Sequence, residues 1–141
     1  NVRMGDPETE AVMLRIDSDL LELFAAAASG ALGDTLLKIS PLAAATVMAV
    51  SPGYPGNYPK GLAISIDTSR IPAEAVLFHA GTRRNPDGTL VTAGGRVIAA
   101  SATAPSPAEA LATAYQAMDA IDFEGKYLRS DIGRDVLSLM E

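Results

Sequence analysis

The chain has 141 residues, 48% apolar and 20% charged, which suits one globular domain, or one small domain with a piece of another. A net charge of −6 speaks against a nucleic-acid or anionic-membrane partner, and the absence of cysteine excludes a disulfide framework, a zinc-thiolate centre and a thiol nucleophile. No apolar run approaches ~18 residues, so the sequence predicts neither a membrane span nor a secretory signal, and the expected location is the cytoplasm.

The chain opens Asn1-Val2-Arg3-Met4-Gly5-Asp6-Pro7-Glu8. Asp6 followed by Pro7 reads as an N-cap with proline at the first helical position, where its missing N–H costs nothing. A helix is therefore expected from about Pro7, with Glu8 and Glu10 at its positive end. On the extended segment before it, Asn1 and Arg3 are two apart and share a side. An amide oxygen suits Mg²⁺, and a guanidinium suits phosphate. The plainer reading is a solvated terminus and a surface ion pair, because a lone N-x-R is a weak signal.

Met13, Ile16, Leu20, Leu21 and Phe24 continue at helical spacing until Gly30, a C-cap. One long helix, or two broken at Asp17-Ser18-Asp19, would fill residues 7 to 29. From Ala44 the pattern turns to β-like runs at 44–51, 62–66, 75–78, 90–93 and 96–102, separated by Gly, Pro, Asn and Asp. Asp87-Gly88 is a hairpin signal. Ser106, Pro107 and Glu109 form a capping box for a last helix, with Leu111, Ala112, Tyr115, Met118 and Ile121 as the expected apolar stripe. Helix, strands and helix in that order give an α+β fold: a small antiparallel β-sheet or partial barrel with one packing helix.

Three further places can carry chemistry. Lys60 lies in a stiff loop, Tyr54 to Gly61, that combines two aromatics and, with Pro52 included, three prolines; such a loop holds a cation with little ordering entropy, and a plain connection between strands is equally compatible with the residues. The one histidine, His79, ends a predicted strand, where side chains reach clefts; no serine or aspartate is placed as its partner, and a histidine bonded to a backbone carbonyl is the plainer reading. The Gly94-Gly95-Arg96 turn allows close backbone approach, so that its N–H groups can form a nest for an anion, with Arg96 adding charge. An ordinary hairpin turn with a solvated arginine is equally compatible with the residues. There is no GxxxxGK loop and no other stretch that would enclose adenine.

Taken together, the opening decapeptide, Gly53-Tyr54-Pro55-Gly56-Asn57-Tyr58-Pro59-Lys60-Gly61, Phe78-His79-Ala80-Gly81-Thr82, Val91-Thr92-Ala93-Gly94-Gly95-Arg96-Val97 and the late Ile121-Asp122-Phe123-Glu124-Gly125 and Asp131-Ile132-Gly133 steps resemble, in order, the motifs of the phosphoribosylamine–glycine ligases (glycinamide ribonucleotide synthetases) of the ATP-grasp superfamily. The resemblance implies that residues 1–40 are the helical end of the ATP-grasp core and 41–141 a carboxy-terminal β-rich domain. It implies a ligase that joins glycine to 5-phosphoribosylamine with ATP as co-substrate and Mg²⁺ or Mn²⁺ as metal, in purine biosynthesis. Asn1 would then bind metal and Arg3 the transferred phosphoryl group. Lys60 and Arg96 would bind the ribose phosphate or the acyl end, with His79 in a binding or orienting role. In the family a metal-binding glutamate in a Glu-Phe pair precedes this opening, and an arginine near the tail stands one position later than Arg134. The chain is thus expected to depend on amino-terminal and ATP-grasp regions upstream and to be inactive alone. The alternative is a non-catalytic binding or assembly module derived from the same carboxy-terminal domain.

Overall fold

The computed structural model describes residues 3–139. Helix α1 (Glu8–Met13) is followed by α2 (Leu20–Ser29). Two helices therefore stand where the sequence left one or two open. The break falls at Asp19, whose carboxylate accepts the backbone N–H groups of Leu21 and Glu22, and α2 ends at Gly30 with φ of 75°. Asp6 does not cap α1; Pro7 occupies the cap position with no side-chain bond. Residues 15–17 and 38–40 run antiparallel through an Ile16 to Ile39 bridge, tying together the two ends of the excursion that contains α2.

Three strands, β1 (Ala43–Val50), β3 (Ala75–His79) and β6 (Arg96–Ala104), form an antiparallel sheet with β6 in the middle. Helix α3 (Pro107–Met118), started by the expected Ser106–Glu109 capping box, packs on one face, and α1 lies against β1 and β6. Residues 97–102 of β6 are all buried, because the central strand is covered on both sides. The buried face of α3 is Ala110, Ala114, Ala117 and Met118, rotated from the expected stripe: Leu111 and Tyr115 are only half-buried, Ala112 is exposed, and Ile121 belongs to a later strand. Small side chains let the helix lie close to the alanine-rich β6, and the larger ones fill the margins.

The remaining strands make two small pairs, β2 (Ser65–Ile66) with β7 (Ile121–Asp122) and β4 (Thr82–Arg84) with β5 (Leu90–Thr92). Asn85–Thr89 closes the expected hairpin as a loop, with Gly88 at φ 88°. Gly94-Gly95 is not a hairpin turn. The strands on either side of it belong to different sheets, and the pair carries the chain from one to the other. Helix α4 (Arg134–Ser138) closes the described chain. No helix of the described residues is long and apolar enough to cross a membrane.

Candidate functional site

The candidate site begins with an irregularity in the β1–β6 ladder. Thr46 pairs with Ser101, Met48 with Ala99 and Ala49 with Ile98, but Val50 pairs with Arg96, leaving one extra residue in β6. A bulge of this kind moves the following side chain to the other face. Val97 and Ile98 both join the core shared with α3, and Arg96 emerges beside Val50 on the opposite face.

On that face lies a cleft of about 330 Å³. Thr46, Met48 and Val50 of β1 line it, together with Pro7, Tyr54, Arg96, Tyr127 to Arg129 and Ile132. The Thr46 and Ser101 hydroxyls satisfy each other at 2.8 Å. Tyr127 reaches β1 through two backbone bonds with Val50, of 2.8 and 3.2 Å. Four stretches that are distant in sequence thus meet here: the opening segment, the Gly53–Gly61 loop, the glycine-rich turn and the chain around Asp131.

Both arginines of the cleft are engaged. Arg129 holds Asp131 through two bonds of 2.9 Å, and its hydrogen bonds keep the Asp131 carboxyl below the usual carboxylate range. Asp131 in turn raises the guanidinium of Arg129. Arg96 meets Asp6, with 3.1 Å to its Oδ2 and 3.3 Å to its carbonyl oxygen.

The glycine turn also differs from expectation. The Gly94 N–H donates to the Gly81 carbonyl at 3.1 Å and is not free to cradle an anion. A Cβ on Gly95 would strike the Tyr54 ring at 2.1 Å, and one on Gly81 would meet the Arg96 carbonyl oxygen at 2.4 Å and Gly94 Cα at 2.6 Å. Glycine is needed here so that two backbones and a tyrosine ring can touch. Ser51 completes the clamp: its N–H donates to the Gly95 carbonyl and its hydroxyl to the Gly94 carbonyl, each at 2.8 Å.

The other expected residues stand apart from the cleft. His79 pairs with Ile98, so it shares the α3 face of the sheet and not the face of Arg96. It is exposed, with Nδ1 3.1 Å from the Thr82 hydroxyl oxygen. Lys60 is exposed with Nζ 6.0 Å from the centre of the Tyr58 ring. Arg3 is exposed near the start of the chain, and Asn1 lies outside the described residues. Among the described residues no three His, Cys, Asp or Glu side chains converge on a point. Sequence reasoning missed Asp6 as a partner of Arg96 and missed Tyr54 as the cover of Gly95; both contacts join residues far apart in the chain and leave no local signal.

The family described as "Phosphoribosylglycinamide synthetase, C domain" matches residues 44–135. The phosphoribosylamine–glycine ligase of Chlorobaculum tepidum is 48% identical over 97% of this chain and 32% of its own length. A bifunctional purine biosynthetic protein of Dictyostelium discoideum is 39% identical over 100% of this chain and 17% of its own. The crystal structure of the phosphoribosylamine–glycine ligase of Thermotoga maritima superposes with a TM-score of 0.70 at 35% identity, over 93% of this chain and 32% of that one. The chain thus spans about a third or less of the length of these three proteins. It belongs to the phosphoribosylglycinamide synthetase C-domain family.

Proposed function

We propose that this chain is the carboxy-terminal part of a ligase joining glycine to 5-phosphoribosylamine in purine biosynthesis, with the cytoplasm as its location. ATP phosphorylates the glycine carboxylate to give glycyl phosphate and ADP; the amine of phosphoribosylamine then attacks the acyl carbon, and inorganic phosphate leaves. The observation that supports this reading most is the 48% identity over 138 residues with a protein named for that reaction.

Phosphoryl transfer is carried by positioning and by cations that neutralise developing charge, not by protein nucleophiles. In this reading Arg3 steadies the transferred phosphoryl group, and Asn1 offers an amide oxygen to Mg²⁺ or Mn²⁺. The metal, when bound, supplies charge neutralisation at the ATP phosphates. Lys60, an exposed cation on a loop stiffened by prolines, binds the ribose phosphate or the acyl end, and His79 orients substrate from the far face of the sheet. Gly94 and Gly95 contribute by letting the Gly81 backbone and the Tyr54 ring approach closely beside Arg96. The division near residue 40 separates the α2 excursion, expected to complete the ATP-grasp core, from the sheet domain. The partners are small molecules together with the ATP-grasp and amino-terminal regions of the same protein.

The test is made in two proteins. In the full-length ligase, Arg3→Ala is expected to lower kcat/KM by about 10²- to 10³-fold, as loss of one preorganised charge in a transition state does; an unchanged value overturns the assignment. The chain alone is expected to release no phosphate from ATP with glycine, and the form extended upstream through the ATP-binding region is expected to do so. Inactivity of both leaves the binding-module reading.

A further inference from the structure

Arg96 and Asp6 are 90 residues apart in the chain, and they link the sheet domain to the opening segment that carries Arg3. Their side chains are 42% and 46% exposed, and an ion pair so exposed contributes little to stability. Its geometry is nevertheless tightly controlled from the Arg96 side. The bulge turns the side chain to the cleft face, Ser51 clamps both glycine carbonyls before it, its own carbonyl accepts the Gly81 N–H at 2.7 Å, and the Tyr54 ring sits on Gly95. A guanidinium that grows from so fixed a backbone is already placed to receive Asp6.

On the other side, Arg96 takes hold of both the carboxylate and the carbonyl of Asp6, and Thr9 donates its N–H at 3.1 Å and its hydroxyl to the carbonyl of the neighbouring Gly5. Of the four residues between Arg3 and α1, Gly5 and Asp6 are therefore held at consecutive carbonyls. An extended chain advances ~3.3 Å per residue, so a tilt at Asp6 is amplified by the time it reaches Arg3.

We propose that Arg96 is a positioning residue for the ligase reaction: fixed by the bulged, tyrosine-covered Gly94-Gly95 turn, it holds Asp6 and thereby aims Arg3 at the transferred phosphoryl group. This rests on the role proposed above for Arg3. It assigns Arg96 to the protein's own opening segment and not to the substrate.

The experiment uses the full-length ligase and measures kcat, and KM for each substrate, in Arg96→Ala, Arg96→Lys, Asp6→Asn and the Arg96→Ala, Asp6→Asn double variant, with Arg3→Ala beside them. Misplacement of a catalytic group by about 1 Å costs up to about 100-fold, so Arg96→Ala and Asp6→Asn are each expected to lower kcat by about 10- to 100-fold. KM for 5-phosphoribosylamine should stay within about twofold, the double variant should be no worse than the worse single one, and Arg96→Lys should recover part of the loss. Asp6→Asn reads the same contact from the exposed side if Arg96→Ala fails to fold. A raised KM for 5-phosphoribosylamine with kcat unchanged in Arg96→Ala makes Arg96 a substrate contact and overturns the proposal. So does a silent Asp6→Asn, or full additivity in the double variant. If Arg3→Ala is itself silent, the underlying reading of Arg3 fails; if Arg3→Ala is crippled while Arg96→Ala is normal, only the positioning role fails.

Discussion

The β6–α3 layer and the α2 excursion are built from comparably apolar sequence and end in opposite environments. Along β6 and α3 the buried residues are mostly alanine, with Val97, Ile98 and Met118 as the larger members, and nearly all have no exposed surface. In the excursion Leu21, Phe24 and Leu36 are 76%, 62% and 73% exposed, and Leu23 is the one buried residue of α2. Side-chain size does not explain the difference. The alanines are covered because β6 is paired on both edges and packed on both faces, whereas among the described residues the main neighbour of α2 is a short 3-10 turn, Leu32–Asp34. An apolar face is buried by what the fold brings to it, not by its own hydropathy.

The sharpest way to break this contrast is a matched pair of truncations. Met118→Ala removes a fully buried side chain from the core and is expected to cost about 2 to 5 kcal/mol, whereas Leu21→Ala should stay within about 0.5 kcal/mol of wild type. Urea denaturation of the isolated chain reads both, and equal losses would show that the two regions do not differ in packing.

A middle-sized effect is expected at the start of α3. Ser106 accepts the Glu109 N–H at 3.2 Å, and Glu109 returns a bond to the Ser106 N–H at 3.1 Å. Ser106→Ala should therefore cost about 1 kcal/mol, measured by the same denaturation. Asp19→Ala, at the matching cap of α2, should instead speed hydrogen exchange within α2 while leaving the global midpoint nearly unchanged, because α2 supports little else.

Acid should have the smallest effect. Asp67, Asp87 and Asp131 are each held below the ordinary value of 3.8, chiefly by the Ser69 hydroxyl, the Thr89 backbone N–H and Arg129 respectively. A carboxylate whose folded pKa is depressed stabilises the fold above its unfolded value, and the contribution is lost as pH falls through the folded value. Thermal midpoints should accordingly be flat above about pH 5 and decline slightly below it, by little because all three groups face solvent. A rise in midpoint on acidification would contradict the geometry of these three contacts.

Much of the fold was legible because its signals are local. Gly30 and the Ser106 box mark helix ends through bonds spanning only a few residues, and the β-rich middle announces itself by short runs between Gly and Pro clusters. The α3 stripe was misread because periodicity identifies a helix but cannot say which of two apolar faces, the alanines or the larger side chains, the sheet will accept. Of the candidate site, the sequence pointed to Arg96 and to the glycine pair before it, but not to the contacts they make with Asp6, Gly81 and Tyr54. Whether Arg96 faces the core or the cleft depends on one unpaired residue in β6, and whether its charge is free depends on Asp6, whose local sequence suits a helix cap.

By itself, the amino-acid sequence determined the end of α2 at Gly30, the start of α3 at Ser106, the α+β character and the motifs through which the family resemblance is visible, since each is written in residues near one another along the chain. Only the tertiary structure decided that His79 and Arg96 stand on opposite faces of one sheet, that the glycines serve close packing, and that Arg96 holds the opening segment. The physical reason is that a strand's side chains alternate with period two, so a single bulge, set by long-range pairing, reverses which face a residue serves.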